Sequence, residues 1–485
     1  MLMDENVKPA TETEQSPDNH IELAHQPDNK KPNKKLIIVG FLVLIFCIGI
    51  ALIAQNRKTT TTKQSATVQT SQPKGDVLTN QTYDCQPRNE HEWYRTDQTL
   101  VVDHSNPDIL YVNIEWKGLY KSTDGGKTWT QKIKGIAVYA RSDDKTKGCY
   151  GEYPVLRIDP TNPKRLILGV SGGGGGNLHP TNPNSQVGGV YQTTNGGESW
   201  SQMINDKMNF YVTDVAIDPK STNIVYYGTA SNPSSWTGAD QDKIFVKEGL
   251  IYKTEDSGKK WRELPTGIGK HTGATSVMVN QSNPKEIVTT TFSANRQSAD
   301  GSGTGLSSGK DTSVSQLGIL KSVDGGASWA TLAKTPDNAP IIRGFSSKNN
   351  FNNMFFVSSG SDMKAYIMTD GKTLKPSGKY MDIVAYDPLD LSGKHMLGYS
   401  TIAGTPTIPN LNLFESNDAG LSWMPRGTLP REITDLNNPK TRPSVIVWHP
   451  TDKNAIFMSG AGGHVWKSND LGSTWTKLLD YTQLN

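Results

Sequence analysis

The chain has few cysteines and lacks the short motifs of several enzyme classes. Three cysteines occur in 485 residues, which excludes a dense disulfide scaffold. No CxxC pair, HExxH motif or phosphate-binding loop is present, so the sequence gives no basis for a structural zinc site, a zinc protease or a P-loop enzyme. The formal net charge is only +3, and no basic stripe with interleaved aromatic residues occurs, so nucleic acid is not an expected partner. We expect neither a metal ion nor a cofactor.

Long amphipathic helical patterns are also missing, and a short turn motif recurs instead, at intervals of roughly 45–70 residues. Complete copies end at Trp129, Trp200, Trp261, Trp329, Trp423 and Trp475, and a shortened copy spans Thr369–Leu374. Gly adopts positive φ easily, and Asp accepts hydrogen bonds from its own backbone, so the motif predicts a tight hairpin turn. The Trp adds an apolar surface that packs against a neighbour. The predicted structural turn residues are Asp124, Asn195, Asp256, Asp324, Asp418 and Asp470.

A second repeat fixes the number of units. Seven apolar strands end in a turn of the Asp-Pro or Asn-Pro type, or a variant of it, and a further short apolar strand follows each turn. The seven segments are Val101–Pro107, Leu156–Pro163, Val215–Thr222, Val277–Pro284, Gly344–Phe351, Ile383–Asp390 and Val445–Asp452. Together the two repeats predict four strands per unit, named A to D. The 46 glycines and 27 prolines fit such a turn-rich, all-β protein. Residues 83–485 are therefore predicted to form a seven-bladed β-propeller of four-stranded antiparallel blades.

The repeated turn resembles the Asp-box, also called the BNR repeat. The resemblance covers six complete copies and one degenerate copy over about 400 residues. Asp-box repeats occur in β-propellers of sialidases, of xyloglucan-type glycoside hydrolases, of sortilin-type receptors and of a photosystem II assembly factor. The resemblance implies the propeller fold, but it does not choose among these functions.

A single apolar segment precedes the predicted propeller. Residues 36–54 are uncharged, as a membrane-spanning helix requires. Lysines are denser before this segment than after it, which places the N-terminal side in the cytoplasm. Residues 1–35 are predicted to be a polar, disordered cytoplasmic tail, and residues 55–82 a linker rich in Thr, Ser and Gln. The expected topology is single-pass, with the propeller outside the cytoplasm; the alternative is a cleaved signal peptide.

Two cysteines lie on the predicted external side. Cys85 precedes blade 1 and Cys149 lies between blades 1 and 2, whereas Cys47 lies in the apolar segment. An oxidising compartment makes Cys85 and Cys149 a candidate disulfide, worth about 3–4 kcal/mol by loop entropy. The alternative is two free thiols.

Ligand-binding candidates come from the long connections. In a propeller, the A–B and C–D turns lie on one face, and the B–C and D–A connections on the other. The latter are long and irregular here, and such loops usually carry function. The candidate ligand-binding residues are Trp116, Tyr139, Tyr150, His179, Trp236, Arg343 and Arg442. Their aromatic rings suit stacking on sugars or capture of peptide side chains; the alternative is that they pack the loops together.

Two hydrolase hypotheses follow from the resemblance. Ile109–Trp129 is similar to the first blade of xyloglucan-type hydrolases, in which Glu115 matches the position of the catalytic base. Asp214 and Asp382 are further candidate carboxylates, because glycoside hydrolysis needs an acid and a base. That family supplies its second carboxylate from another propeller, whereas this sequence predicts a single one.

Sialidases instead bind a carboxylate with three arginines. Arg157, Arg343 and Arg442 lie at or beside A strands, but the F-R-I-P signature is absent.

The predicted function is a membrane-anchored extracytoplasmic propeller that binds a glycan or an extracellular protein. A glycoside hydrolase is the alternative.

Overall fold

The computed structural model describes part of the chain. All described residues belong to the second of two compact units, Val77–Asn485; the first, Met1–Asp76, lies outside them. The described residues are 99–114, 117–136, 138–140, 148–150, 152–171, 189–203, 212–229, 251–267, 272–293, 318–336, 339, 341–358, 364–400, 412–430, 443–460, 464–480 and 484.

Seven four-stranded antiparallel sheets make up the fold, each built from one contiguous stretch of sequence with its strands in chain order. The A strands are β1 (Leu100–Val102), β7 (Glu152–Ile158), β11 (Val212–Ile217), β15 (Thr272–Val279), β19 (Ile341–Ser346), β23 (Ile383–Tyr386) and β27 (Pro443–Trp448). The B strands are β2 (Leu110–Ile114), β8 (Leu166–Ser171), β12 (Val225–Thr229), β16 (Ile287–Ser293), β20 (Met354–Ser358), β24 (Met396–Tyr399) and β28 (Ile456–Gly460).

Strands C and D form the outer half of each blade. The C strands are β3 (Gly118–Ser122), β9 (Gly189–Thr193), β13 (Ile251–Thr254), β17 (Ile319–Ser322), β21 (Ala365–Met368), β25 (Asn412–Ser416) and β29 (Val465–Ser468). The D strands are β4 (Thr130–Gln131), β10 (Ser201–Gln202), β14 (Arg262–Glu263), β18 (Ala330–Ala333), β22 (Lys375–Pro376), β26 (Met424–Thr428) and β30 (Thr476–Leu479). An additional hairpin, β5 (Val138–Ala140) with β6 (Gly148–Tyr150), lies between β4 and β7.

The blades form a closed ring. Each A strand contacts the A strand of the next blade, and β27 contacts β1. The predicted all-β, seven-bladed propeller with four antiparallel strands per blade is therefore confirmed. Strand D lies at the outer edge of every blade, and in most blades it has only two to four residues; short edge strands offer little backbone to a passing chain.

The core lies between adjacent blades. Strands such as β2 and β20 are buried at every position, because each sheet has a neighbouring blade on both faces. At the junction of blades 7 and 1, Leu110 and Tyr120 pack with Phe457 and Leu479. The indole nitrogen of Trp129 donates to the carbonyl of Leu478 at 3.3 Å. Side-chain packing therefore closes the ring, because β27–β30 alone form the sheet of blade 7.

The A–B turns repeat the same hydrogen bonds. In blade 1 the amide of Asp103 donates to the carbonyl of Ile109 at 3.0 Å, and the Asp103 carboxylate accepts from the amide of Ser105 at 2.8 Å. Blade 6 differs, because the corresponding backbone bond joins Asp387 to His395. This turn is two residues longer than the A–B turns of the other blades.

The C–D turns carry the motif that recurs in the sequence. In blade 1 the Ser122 hydroxyl donates to Asp124 and accepts from the amide of Gly126 at 2.8 Å. Asp124 also accepts from the amide of Thr128 at 2.9 Å. The amide of Gly125 donates to the carbonyl of Asp108, at 3.0 Å, and joins this turn to the A–B turn of its own blade. Equivalent bonds recur in the other five complete copies of the motif.

No helix among the described residues is long and apolar enough to cross a membrane. The predicted tail, span and linker at residues 1–82 lie outside the described part of the chain.

Candidate functional site

The strand order gives the propeller two different rims. The A–B and C–D turns lie together at one end of the strands, which we call the turn rim. The B–C and D–A connections lie at the opposite end, which we call the loop rim. The predicted residues Glu115, Trp116, His179, Trp236 and Arg442 belong to loop-rim connections and lie outside the described residues. Their roles stay predictions.

Two further ligand-binding candidates lie in the additional hairpin. Tyr139 in β5 pairs with Cys149 in β6, and Tyr150 pairs with Val138. This hairpin belongs to the D–A connection between blades 1 and 2, so the backbones of both tyrosines lie in a loop-rim connection. Cys85 lies outside the described residues, and the disulfide between Cys85 and Cys149 stays a prediction.

The turn aspartates are engaged in local structure. Hydrogen bonds from Thr128 and Ser122 lower the pKa of Asp124 to about 2, and bonds from Thr474 and Ser468 lower that of Asp470 to about 2. Asn195 performs the same task in blade 2, where it accepts from the amide of Ser199 at 3.0 Å and donates to its hydroxyl. Each side chain holds its own turn closed.

Polar contacts join neighbouring A strands around the axis. We call the participating residues the axial belt: Arg157, Thr213, Asp214, Thr275, Ser276, Arg343 and Asp382. Between blades 3 and 4, Asp214 accepts from the amide of Val277 at 2.8 Å, and the Thr213 hydroxyl donates to the carbonyl of Ala274. The same pattern recurs one blade further on.

Between blades 4 and 5, Ser276 accepts from the amide of Gly344 at 2.9 Å, and the Thr275 hydroxyl donates to the carbonyl of Ile341 at 3.0 Å. The A strands of blades 3, 4 and 5 each have a register shift immediately before Asp214, Ser276 and Arg343. A bulge re-aims the side chains that follow it. Here the side chains after the bulges in blades 3 and 4 bond to the next blade.

Asp214 is a candidate catalytic carboxylate that the structure places in the belt. It accepts from a guanidinium nitrogen of Arg157 and from the amide of Val215, both at 2.8 Å. Burial raises the pKa of Asp214, and Arg157 and the amides of Val277 and Val215 oppose that rise. The carboxylate therefore joins three consecutive blades.

Asp382 and Arg343 link blades 5 and 6. The guanidinium of Arg343 lies 3.4 Å from the carbonyl oxygen of Asp382, and the Asp382 carboxylate accepts from the Tyr380 hydroxyl at 2.9 Å. Burial lowers the pKa of Arg343, and the charge of Asp382 opposes the change. Both residues thus contact protein groups at the blade junction.

Sequence reasoning missed a histidine cluster at the turn rim of blade 6. The ring nitrogens of His395 lie 2.8 Å from Asp387 and 2.9 Å from Glu415, and the ring packs edge-on against Trp448 of blade 7 at 5.1 Å between centroids. Arg426 lies 3.5 Å from Glu415. The sequence could have indicated this cluster through the A–B turn of blade 6, which has two more residues than the other A–B turns and ends at His395. The cluster fixes the base of the longer turn.

No group of three or more His, Cys, Asp or Glu side chains with the arrangement of a metal site occurs among the described residues. Asp214 and Asp382 hold backbone and side-chain groups of the scaffold. The two carboxylates are thus engaged in contacts within and between blades.

Comparisons with known proteins bear on the fold. No protein-family model matches the chain, and no curated protein matches it. Among solved structures, a GH74 xyloglucanase from Xanthomonas campestris is 14% identical, with a TM-score of 0.51 over 77% of this chain and 51% of that one. A GH74 enzyme from Niastella koreensis is also 14% identical, with a TM-score of 0.53 over 78% and 53% of the respective chains.

YCF48 from Cyanidioschyzon merolae has 14% identity and a TM-score of 0.44, over 77% of this chain and 96% of that one. The chain spans about half the length of the two GH74 structures. The likeness to these two structures shows the fold of the chain and nothing beyond it.

Proposed function

We propose that this protein is a membrane-anchored, extracytoplasmic propeller that binds a glycan or a protein ligand through its loop rim. The single observation that carries the preference for binding over catalysis is the axial belt. Asp214 holds Arg157 and two backbone amides, and Asp382 accepts from Tyr380. A general acid or base must transfer protons to and from substrate, whereas these two carboxylates stabilise contacts within and between blades.

Membrane anchoring rests on residues 36–54. Their length and apolar character match a single span, and the denser lysines before them favour a cytoplasmic N-terminus. The predicted linker then tethers the propeller on the opposite side of the membrane. The turn motif, which resembles the Asp-box, supplies scaffold rather than ligand contacts in this proposal.

The alternative function is glycoside hydrolysis at the same rim. It is favoured by the resemblance of Ile109–Trp129 to the first blade of xyloglucan-type hydrolases, and the likeness to GH74 folds is compatible with it. Glu115 would then act as the base, and a second carboxylate from the loop rim would act as the acid. An exo-sialidase is the weaker form of this alternative.

One pair of assays separates the two functions. The full chain in detergent micelles is screened on a glycan array and on aryl-glycoside and xyloglucan substrates. Binding without turnover, weakened by Trp236→Ala and unchanged by Glu115→Gln, is the expected result. Turnover that Glu115→Gln abolishes would establish the hydrolase instead. Absence of glycan binding would leave a protein as the ligand.

A further inference from the structure

Four large apolar side chains are exposed at the turn rim of blade 6. Leu389 and Leu391 belong to the A–B turn, Leu421 belongs to the C–D turn, and Met424 begins β26 directly after that turn. Leu391 is the most exposed of them, at 84%. Among the described residues, one other large apolar side chain has comparable exposure, Val323 in the C–D turn of blade 4, at 62%. We call the four residues the blade 6 apolar surface.

The fold does not require apolar residues at these positions. The amide of Leu389 donates to Asp387 at 2.8 Å, and the corresponding amide bond identifies the equivalent residue of every other blade. Those residues are all polar: Ser105, Thr161, Lys220, Ser282, Asn349 and Thr451. In the other five complete copies of the turn motif, the residues in place of Leu421 are Lys127, Glu198, Lys259, Ala327 and Ser473, and those in place of Met424 are Thr130, Ser201, Arg262, Ala330 and Thr476. The large apolar side chains are therefore specific to blade 6.

A fixed backbone presents the two leucines of the A–B turn. The Asp390 carboxylate accepts from the amides of Lys394 and His395, both at 2.7 Å. The side chain of Asn349, in blade 5, donates to the carbonyls of Pro388 and Asp390 at 3.0 and 2.8 Å. Because the turn is held by its own carboxylate and by the neighbouring blade, burying its leucines against a partner costs little conformational entropy.

The C–D turn is bonded directly to the A–B turn. Ala419 of the C–D turn donates its amide to the carbonyl of Lys394 at 2.9 Å. Met424 pairs with Glu415, whose carboxylate lies 2.9 Å from the ring of His395 at the end of the A–B turn. The exposed side chains of the two turns therefore lie on one part of the turn rim.

Cations border the blade 6 apolar surface. Lys394 lies in the A–B turn, and Lys375 lies two residues before Ser377, whose hydroxyl donates to the carbonyl of Gly420 in the C–D turn at 2.8 Å. Both lysines are exposed, and no hydrogen bond or ion pair of either ammonium occurs within the described part of the chain. The carboxylates of the two turns accept instead from nearby backbone amides; they are those of Asp387, Asp390 and Asp418. The two ammonium groups are therefore available to an anionic partner.

We propose that the blade 6 apolar surface docks the propeller on an anionic lipid bilayer. The leucines and Met424 enter the boundary between headgroups and acyl chains, and Lys394 and Lys375 lie among the headgroups. Binding at such an interface grows with the apolar area buried and with the attraction of cations to anionic lipids. The docking rests on the membrane anchoring of the proposed function, which keeps a bilayer within reach.

The predicted tether is long enough for this orientation. Every A strand runs from the loop rim to the turn rim, so the chain enters the propeller at the loop rim, at Leu100. Residues 55–99 separate Leu100 from the predicted span and reach about 150 Å when extended. The longest A strand has eight residues and measures about 25 Å. The turn rim can therefore lie on the bilayer, and the loop rim then faces away from the membrane, where a ligand approaches.

The test measures bilayer contact in vesicles that contain the full chain. The three native cysteines are replaced by serine, and Leu391→Cys carries the fluorophore NBD, which nitroxide-labelled lipids quench only at close range. Val323→Cys is the matched control, because it places the same label at an exposed turn-rim position of another blade. Vesicles of phosphatidylcholine and phosphatidylglycerol in equal parts are compared with vesicles of phosphatidylcholine alone.

We expect strong quenching at position 391, little at position 323, and more quenching in the anionic vesicles. With the label at position 391, Leu389→Ser/Leu421→Ser should lower the ratio of docked to undocked propeller about tenfold, as loss of two buried apolar side chains predicts. Val323→Ser should leave that ratio unchanged, and Lys394→Gln should lower it in the anionic vesicles only.

Equal quenching at positions 391 and 323 would overturn the proposal, and so would equal quenching in the two kinds of vesicle. A blue shift of the label that rises with protein concentration, without quenching by lipid, would instead assign the surface to a second copy of the chain. An alkaline carbonate wash tests the anchor separately. Release of the chain by the wash would contradict the anchoring of the proposed function, whereas a retained chain without quenching at position 391 would contradict the docking alone.

Discussion

The second glycine of the C–D turn in blade 1 limits how closely blades 7 and 1 approach. In blade 1, Gly126 has φ of +92°. A Cβ atom built on it would lie 2.8 Å from Cδ1 and 3.0 Å from Cβ of Leu478 in blade 7. Replacement by alanine therefore strains the backbone and disturbs the contact that closes the ring.

The expected loss follows from these two effects. A non-glycine residue in left-handed backbone costs roughly 1–2 kcal/mol, and overpacking a tight contact costs about 1–3 kcal/mol. Gly126→Ala should therefore lower the free energy of unfolding by about 3 kcal/mol. The preceding Gly125 is the matched control. Three other blades place Ser257, Ala419 and Leu471 there at φ of 59°, 60° and 56°.

Thermal unfolding of the full chain in detergent micelles, followed by tryptophan fluorescence, measures how far each glycine variant lowers the melting temperature of the wild type. An unfolding entropy of about 2.1 cal/mol/K per residue over about 380 residues gives roughly 0.8 kcal/mol/K. Gly126→Ala should then lower the melting temperature by about 4 °C, and Gly125→Ala by about 2 °C. In the Gly126→Ala/Leu478→Ala protein the two losses should not add, because the smaller side chain leaves room for the new methyl group.

Equal melting temperatures for Gly126→Ala and Gly125→Ala would refute this reasoning. It would mean that the blade 7 contact adjusts without loss and that the second glycine does not limit the approach of the blades.

Four further predictions concern the scaffold and the topology. Asp124→Ala should lower the melting temperature without changing ligand affinity, whereas Asp124→Asn should be tolerated because Asn195 closes the same turn. The pKa of Asp124 is lowered to about 2, so its stabilisation is present above about pH 4 and is lost as the pH falls through about 2. Urea unfolding should therefore show a smaller difference in the free energy of unfolding between wild type and Asp124→Ala at pH 2 than at pH 6. Asp214→Ala leaves Arg157 and two amides without their acceptor, and should lower the free energy of unfolding by about 2–4 kcal/mol; a loss no larger than that of Asp124→Ala in urea titrations would contradict the belt. In a chain whose three native cysteines are replaced by serine, a cysteine introduced at Asn19 should react with a membrane-impermeant maleimide only after the cells are lysed. Labelling in intact cells would contradict the predicted cytoplasmic N-terminus.

The propeller could be predicted from the sequence because its repeats lie within single blades. Turn chemistry at Asp124 and Gly125 is local, and seven copies of an apolar strand followed by a turn set the blade count. The two repeats together predict four strands in each blade. Every step used residues that lie close together in the chain.

The axial belt could not be predicted in the same way. Asp214 bonds to Arg157 of the preceding blade and to Val277 of the following one, and both contacts depend on blade stacking. The register shift before Asp214 leaves no clear signature in the sequence. Asp214 and Asp382 lie at or near the start of their A strands, but this location alone does not show what their carboxylates bind.

The separate construction of each blade has a consequence for biosynthesis. The first strand of blade 1 begins at Leu100 and the last strand of blade 7 ends at Leu479. At about 5–20 residues per second, a ribosome needs roughly 20–80 s to make the intervening chain. Throughout that time Leu110, Tyr120 and Trp129 have no partner from blade 7. The nascent protein therefore presents an apolar sheet face for most of its synthesis, and a cell that makes it must shield that face until the seventh blade arrives.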